Sequence, residues 1–477
     1  MRRFYLLLFL FVTGMHLRTV AGIPTLTGTW TGTVQTLHPD APDVAFEISQ
    51  ATGGSLTAVM HVTNQQNYNI PVDSILQNNQ QVRMVISRLS CRFEGALVND
   101  TLLKGFIVMN DQQRFVLELK KQAALPAPKT LRPQEPVGPL PYLEENVRFP
   151  HAAAGITLSG TLSWPATGGR FPAVVLISGS GGNDRDANIF THKVFLVLAD
   201  YLTRAGIAVL RVDDRGIGES TGDFDSATNE DLAADAVAGV AYLHTRKEIN
   251  PKAIGLIGHS LGGDIAPIAA NLSPDVNFIV LMAGSAAPIA TCYYEHCAAA
   301  YPLEGVSPKG VQVNQLVLAA VFNIIQQQPS DSIARVKIPQ VLRTLDKAVA
   351  GLSAKDQDIL DLHVPIASDE FLTFLSKPRR ADFQRDQFAI VSRVKCPVLA
   401  INGTKDVQVL PSQLKRIERA LRQGGNKQVT IKAFEGKNHL FQTAKTGAIS
   451  EYATITETMA PEVMAFMASW IQRTTAL

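Results

Sequence analysis

The chain has 477 residues, of which 46% are hydrophobic and 18% charged, the composition of an ordinary globular protein rather than a disordered or fibrous one. Its 44 Lys+Arg against 42 Asp+Glu exclude the strongly basic surface that nucleic acid or an anionic membrane would require. Four cysteines in a chain this long exclude a disulfide-built scaffold, and no CxxC or His/Cys cluster has zinc spacing, so no metal is expected.

The first element is a leader. "MRR" is a basic start, "FYLLLFLFV" an apolar run of nine residues, and "TVA" ending at Ala21 offers small residues for cleavage. Nine apolar residues are too few to span a bilayer. Residues 1–21 are therefore expected to be an export signal, giving a periplasmic or secreted protein with no stable membrane insertion after cleavage. The first cysteine is Cys91, which argues against a lipoprotein. Loss of Arg2, Arg3 and Arg18 leaves 41 basic against 42 acidic residues.

Residues 22–120 read as strands only. "LTGTWTGTVQT", "VAFEISQ", "SLTAVMHVT", "QVRMVISRL" and "RFVLELK" alternate apolar with polar residues between Gly/Asn/Asp punctuation. This pattern predicts a small antiparallel sandwich or barrel. "LPAPKTLRPQEPVGPLP" follows, with six prolines in seventeen residues, so residues 121–141 are expected to be an extended linker.

From residue 142 strands and helices alternate. "NVRFP" and "ITLSGTLSWP" suggest a leading hairpin. Then come "AVVLISG", a helix over 191–204, "IAVLRVDD", a helix over 229–247, "AIGLIG", a helix after Ser260 and "NFIVLMAG". "PVLAING", a helix near 414–422, "QVTIKAF" and a helix from Pro461 complete the series. Continuous Val/Ile/Leu strands predict a mostly parallel sheet covered by helices on both faces. Residues 287–382 interrupt the alternation with helical character and are expected to form an inserted cap. Within it, Cys292 and Cys297 admit either a local disulfide or two free thiols.

Gly258-His259-Ser260-Leu261-Gly262 is a G-x-S-x-G run where an apolar strand meets a helix. That junction forces a serine up from the sheet on a strained turn, and the glycines give the backbone room. A serine nucleophile needs a base and a group to orient it. On this elbow the acid follows a late strand and the histidine follows the last. "LAINGTKDVQV" supplies Asp406 and "KAFEGKNHLF" supplies His439; of ten histidines, only His439 lies beyond the last predicted strand. His259 is expected to be packed structure, because adjacent side chains on an elbow diverge. The oxyanion donors are expected to be the Leu261 amide and one amide of "SGSGG", Ser180 first and Gly181 second. This loop lacks both the GxxxxGK[ST] and the complete G-x-G-x-x-G pattern, which argues against nucleotide binding. "DDRGIGES" lies at the same sheet edge, where Asp213, Asp214 and Arg215 either touch substrate or brace loops.

Together "SGSGGNDRD", "DDRGIGES", "GHSLGG", "NGTKDVQV" and "GKNHLFQTAKTG" resemble the bacterial α/β-hydrolase fold esterases of the serine-aminopeptidase-like and dienelactone-hydrolase-like branch. More narrowly, the chain resembles exported carboxylesterases with an N-terminal β domain. The similarity covers residues 142–477 and implies an α/β-hydrolase catalytic domain with a helical cap. It implies Ser260, Asp406 and His439 as a triad acting on a small or short-acyl ester, without cofactor. Many such loops begin His-Gly, where this chain has Ser178. Dienelactone hydrolases proper carry a cysteine nucleophile, and Ser260 moves the expectation toward simple ester hydrolysis. Three alternatives stay open: a peptidase with Asp184 or a cap carboxylate anchoring an amine, a thioesterase or acyltransferase, and a non-catalytic glycan- or lipid-binding protein. Acyl preference, alcohol preference and oligomeric state are not encoded in these motifs.

Overall fold

Two patterns of hydrophobicity produce two units, residues 1–129 and 130–477. The computed structural model describes residues 25–35, 42–51, 53–63, 67–89, 91–109, 113–125 and 132–476. The expected leader lies outside the described residues.

In the first unit, alternating residues form β1 (Gly28–Gln35), β2 (Asp43–Gln50), β3 (Leu56–Val62), β4 (Asn67–Pro71), β5 (Ser74–Asn78), β6 (Gln81–Ile86), β7 (Cys91–Asn99), β8 (Leu102–Met109) and β9 (Gln113–Gln122). They pair in the order β4-β3-β2-β1-β9-β8-β7-β6-β5. The two edge strands are joined by Val72 and Asp73 alone, so the sheet curls round on itself. Trp30, Phe46, Met84, Phe93 and Leu117 are buried inside it. The Trp30 indole N–H donates to the Leu26 carbonyl at 2.7 Å, which satisfies the one polar atom of that ring. Sequence reading finds five of these strands. It misses the five-residue β4 and β5, and it misses β7 and β8, where Gly95 and Gly105, directly opposite each other, break the alternation. Those glycines make room for a ring: a Cβ on Gly95 would lie 2.5 Å from Phe93 Cζ.

The second unit holds an eight-stranded sheet of β10 (Tyr142–His151), β11 (Ile156–Pro165), β12 (Phe171–Ile177), β15 (Ala208–Val212), β16 (Ile249–His259), β17 (Phe278–Met282), β18 (Val398–Gly403) and β19 (Val429–Phe434). A two-stranded hairpin of β13 (Asn188–Ile189) and β14 (His192–Lys193) stands beside it. The order is β10-β11-β15-β12-β16-β17-β18-β19; β11 runs antiparallel to both of its neighbours, β10 and β15, and all neighbours from β15 onward run parallel. The chain leaves β12 toward β15 on one side and returns to β16 on the other. The crevice at the carboxyl ends of β12 and β16 is thus a topological switch point, where such sheets bind ligands.

Both sheet faces are covered, which explains the near-continuous apolar strands. Helices α1 (Val194–Arg204) and α12 (Pro461–Thr475) bury their apolar stripes on one face. On the other lie α2 (Asn229–His244), α3 (Leu261–Leu272), α10 (Gln387–Arg393) and α11 (Gln413–Gln423). Between β17 and β18 the cap comprises α4 (Ile289–Leu303), α5 (Pro308–Gln327), α6 (Asp331–Ala350), α7 (Ala354–Leu360), α8 (Asp369–Leu372) and α9 (Lys377–Gln384). It has a core of its own around Phe322, whose ring lies 4.8 Å from Phe383 and 5.5 Å from both Tyr293 and Phe374. Cys292 and Cys297 both sit on α4 as free thiols, and Cys91 and Cys396 are also free.

The described end of the proline-rich stretch is fastened to the hydrolase unit. Arg132 donates to the carbonyls of Ala453 and Ile455 at 2.9 and 2.8 Å. Gln134 donates to the Met459 carbonyl at 2.7 Å and accepts from the Met459 amide at 3.1 Å.

Candidate active site

β16 ends at His259 and α3 begins at Leu261, so Ser260 alone turns the chain. It does so at φ 55° and ψ −118°, a backbone state that L side chains rarely adopt. The glycines around it are required by space. A Cβ on Gly258 would lie 1.9 Å from the Gly262 carbonyl oxygen, and one on Gly262 would lie 2.2 Å from that of Ile177. As the first residue of α3, Leu261 presents an amide with no intrahelical acceptor at the positive end of the helix.

Asp406 lies three residues beyond β18 and His439 five beyond β19, and the structure brings them together. His439 Nδ1 and Asp406 Oδ2 are 2.8 Å apart, both side chains buried. The other oxygen of Asp406 accepts the amides of Gln408 and Val409 at 2.8 and 2.9 Å. With the carboxylate fixed in this way, His439 donates from Nδ1, leaving Nε2 bare as an acceptor. Among the described residues no hydrogen bond joins Ser260 Oγ to His439; such bonds commonly close only around substrate.

His259 supports His439 from the neighbouring position in the fold. Burial holds its ring down to about 3, so it is neutral, and its Nε2–H donates to the His439 carbonyl at 3.0 Å. The two rings lie 4.9 Å apart. The histidine loop is shaped further by Asn438, whose Oδ1 accepts the amides of Leu440 and Gln442 at 3.1 and 2.9 Å. Gln442 in turn donates to the Glu457 carbonyl at 3.0 Å and lies 3.0 Å from His192 Nε2. Sequence reading misses these supports; the flanking Asn and Gln of "KNHLFQ" are the only local trace of them.

Of the loop after β12, Gly179 is the residue packed on the serine: a Cβ there would lie 3.5 Å from Ser260 Cβ. Ser180 and Gly181, the expected second donors, follow it and are exposed. The "DDR" residues brace loops. Asp213 accepts from the Arg185 amide and guanidinium at 2.8 and 2.6 Å. Asp214 accepts from Ser178, and burial pushes its carboxyl up to about 6. Arg215 grips Asp235 at 2.7 and 2.8 Å. Asp184 accepts the Asp186 amide at 3.0 Å within its own turn.

From the cap, His296 Nδ1 donates to the Val407 carbonyl, beside Asp406, at 3.0 Å. Glu295 holds Gln413 and Arg416 of α11, both at 2.8 Å. Asp264, one turn beyond Ser260, accepts the Ser285 amide at 2.7 Å, and burial pushes its carboxyl up to about 7.

A serine raised on a strand–helix elbow at the switch point of this eight-stranded sheet defines an α/β hydrolase, here preceded by a separate all-β unit. The chain belongs to the X-Pro dipeptidyl-peptidase (S15) family, whose profile matches residues 154–437. It is 28% identical over 283 residues to Esterase EstD of Thermotoga maritima, covering 59% of this chain and 58% of that protein. It is 31% identical over 150 residues to Thiohydrolase apmlB of Arthrinium phaeospermum, covering 31% of this chain and 45% of that one. In both cases the chain spans less than two thirds of the relative's length. The solved esterase Pf2001 of Pyrococcus furiosus superposes with a TM-score of 0.41 at 14% identity, over 70% of this chain and 93% of that one.

Proposed function

We propose that the protein is a serine hydrolase of small carboxylic esters, with Ser260 as nucleophile, His439 as base and Asp406 as the group that orients it. The observation that carries this reading is the buried 2.8 Å Asp406–His439 bond in the same crevice as the strained Ser260 turn. The name of the Thermotoga relative supports the ester substrate.

In the proposed cycle Ser260 Oγ attacks the ester carbonyl carbon while His439 Nε2 takes its proton. The negative carbonyl oxygen is held by the Leu261 amide and by an amide of the glycine loop, Ser180 first and Gly181 second. The C–O bond to the alcohol breaks, and the alcohol leaves with the proton from His439. Water, activated by the same nitrogen, attacks the acyl-enzyme and releases the acid. No cofactor enters the scheme.

Hydrolysis of p-nitrophenyl esters from acetate to laurate tests it, and Ser260→Ala or His439→Ala is expected to lower kcat at least about a thousandfold. A variant rate close to wild type would overturn the assignment. The family's description favours a second reading, cleavage of Xaa-Pro amides, and the first relative after EstD favours thioesters. Both substrates belong in the same assay, and the larger kcat/KM decides between them. Export is also proposed, supported by the sequence of residues 1–21; fractionation of cells expressing the full chain tests it.

A further inference from the structure

One carboxyl group outside the proposed proton path accepts hydrogen bonds from both ends of the glycine loop. Ser178 Oγ donates to the two oxygens of Asp214 at 2.9 and 2.7 Å. The Asn183 amide donates to the same carboxyl at 2.8 Å, and the Asp214 amide donates back to the Asn183 carbonyl at 3.0 Å. The Asn183 side chain then reaches into the loop, donating to the carbonyls of Gly181 and Gly179 at 2.7 and 3.4 Å. Residues 178 and 183 are thus tied to one point, and everything between them hangs from that point.

The intervening run is Gly179-Ser180-Gly181-Gly182, which has almost no side chain by which packing could hold it. Behind it lies a cavity of about 40 Å³ lined by Ser178, Gly179, Asp214, Arg215, Asp235 and Ile265 among others. Gly182 packs beside Ile217, but for the exposed Ser180 and Gly181 hydrogen bonds, rather than packed side chains, set the direction of the amides. We propose that Asp214 is the positioning residue of the oxyanion site, acting through Ser178 and Asn183 to aim the loop amides at the oxygen that becomes negative. This inference rests on the serine-hydrolase reading. Its chemical logic is acceptor count. A single carboxyl oxygen of Asp214 accepts both the Ser178 hydroxyl at 2.7 Å and the Asn183 amide at 2.8 Å, whereas Asp214→Ala leaves both donors without it. Misaimed amides cost most when charge develops on the oxygen, so the loss falls on kcat and spares KM.

The test uses the full chain as wild type, Asp214→Ala and Ser178→Ala, the last a milder change should the first fail to fold. Active sites are counted by titration. Then kcat, KM and the inhibition constant of an aryl trifluoromethyl ketone, which becomes a tetrahedral oxyanion on Ser260, are measured. Expected is a fall in kcat of about tenfold to a hundredfold, KM within about twofold, and ketone affinity weakened in step with kcat/KM. Variants with lower melting temperature but unchanged kcat per active site and unchanged ketone affinity would overturn the inference while leaving the serine-hydrolase reading intact. A wild type that turns over no ester and binds no ketone would overturn both.

Discussion

At position 264 a carboxyl group sits four residues beyond the serine on the same helix, and its surroundings make stability depend on pH. Unfolded, this group titrates near 3.8; folded, burial holds it near 7, so the folded chain binds the proton more tightly. Stability is therefore lost as pH rises from about 4 to about 7, because the unfolded chain ionises first. Asp264→Asn cannot ionise and can still accept the Ser285 amide. Its melting temperature relative to wild type is expected to climb steadily across that window and level off above it. A difference that stays flat with pH would contradict the buried, proton-holding environment. At this scale the candidate residues Ser260, Asp406 and His439 are readable because each lies just beyond the end of a strand, Ser260 directly and the other two after a short loop, which is a local signal. The supports are not readable. His259, Asn438 and Gln442 work through backbone carbonyls and amides whose positions depend on the folded loop, and His192 reaches Gln442 from the far end of the hydrolase unit.

Among the elements, the elbow between β16 and α3 has little tolerance. A Cβ on Gly262 would press to 2.2 Å from the Ile177 carbonyl oxygen, so β12 and α3 must separate to admit it. Gly262→Ala is expected to cost about 2 kcal/mol or more, read as a fall in melting temperature, because backbone cannot move aside as a flexible side chain can. Gly169→Ala, where a Cβ meets nothing within 4 Å, serves as the control and is expected to change little. Equal melting temperatures for the two variants would contradict the packing described. The alternation of strands and helices is legible from residue 142 onward because buried parallel strands are continuous apolar runs. β7 and β8 escape notice because their facing glycines interrupt the period-two pattern that marks a half-buried strand. The cap is legible only as an interruption, since helical spacing of Leu, Ile and Val says that helices pack but not in what arrangement.

For the whole molecule, the division falls inside the proline-rich stretch rather than after it. Composition marks residues 121–141 as one extended run, yet Arg132 and Gln134 answer carbonyls near Ala453 and Met459 that only the folded unit supplies. A chain of residues 130–477 is expected to fold alone and keep its ester turnover within about twofold. One beginning at Tyr142 loses these hydrogen bonds and is expected to melt several degrees lower, as loss of about 1 kcal/mol per bond would produce. Identical melting temperatures would show that the 132–135 segment adds nothing. In the proposed chemistry Ser260 Oγ is the atom that attacks. The most direct measurement is reaction of the full chain with a fluorophosphonate, followed by intact-mass and peptide mass spectrometry. One adduct per chain, located on the peptide containing Ser260, appearing in proportion to the loss of ester turnover and missing from Ser260→Ala, is the predicted result. Turnover that survives full modification, or an adduct on another residue, would contradict it.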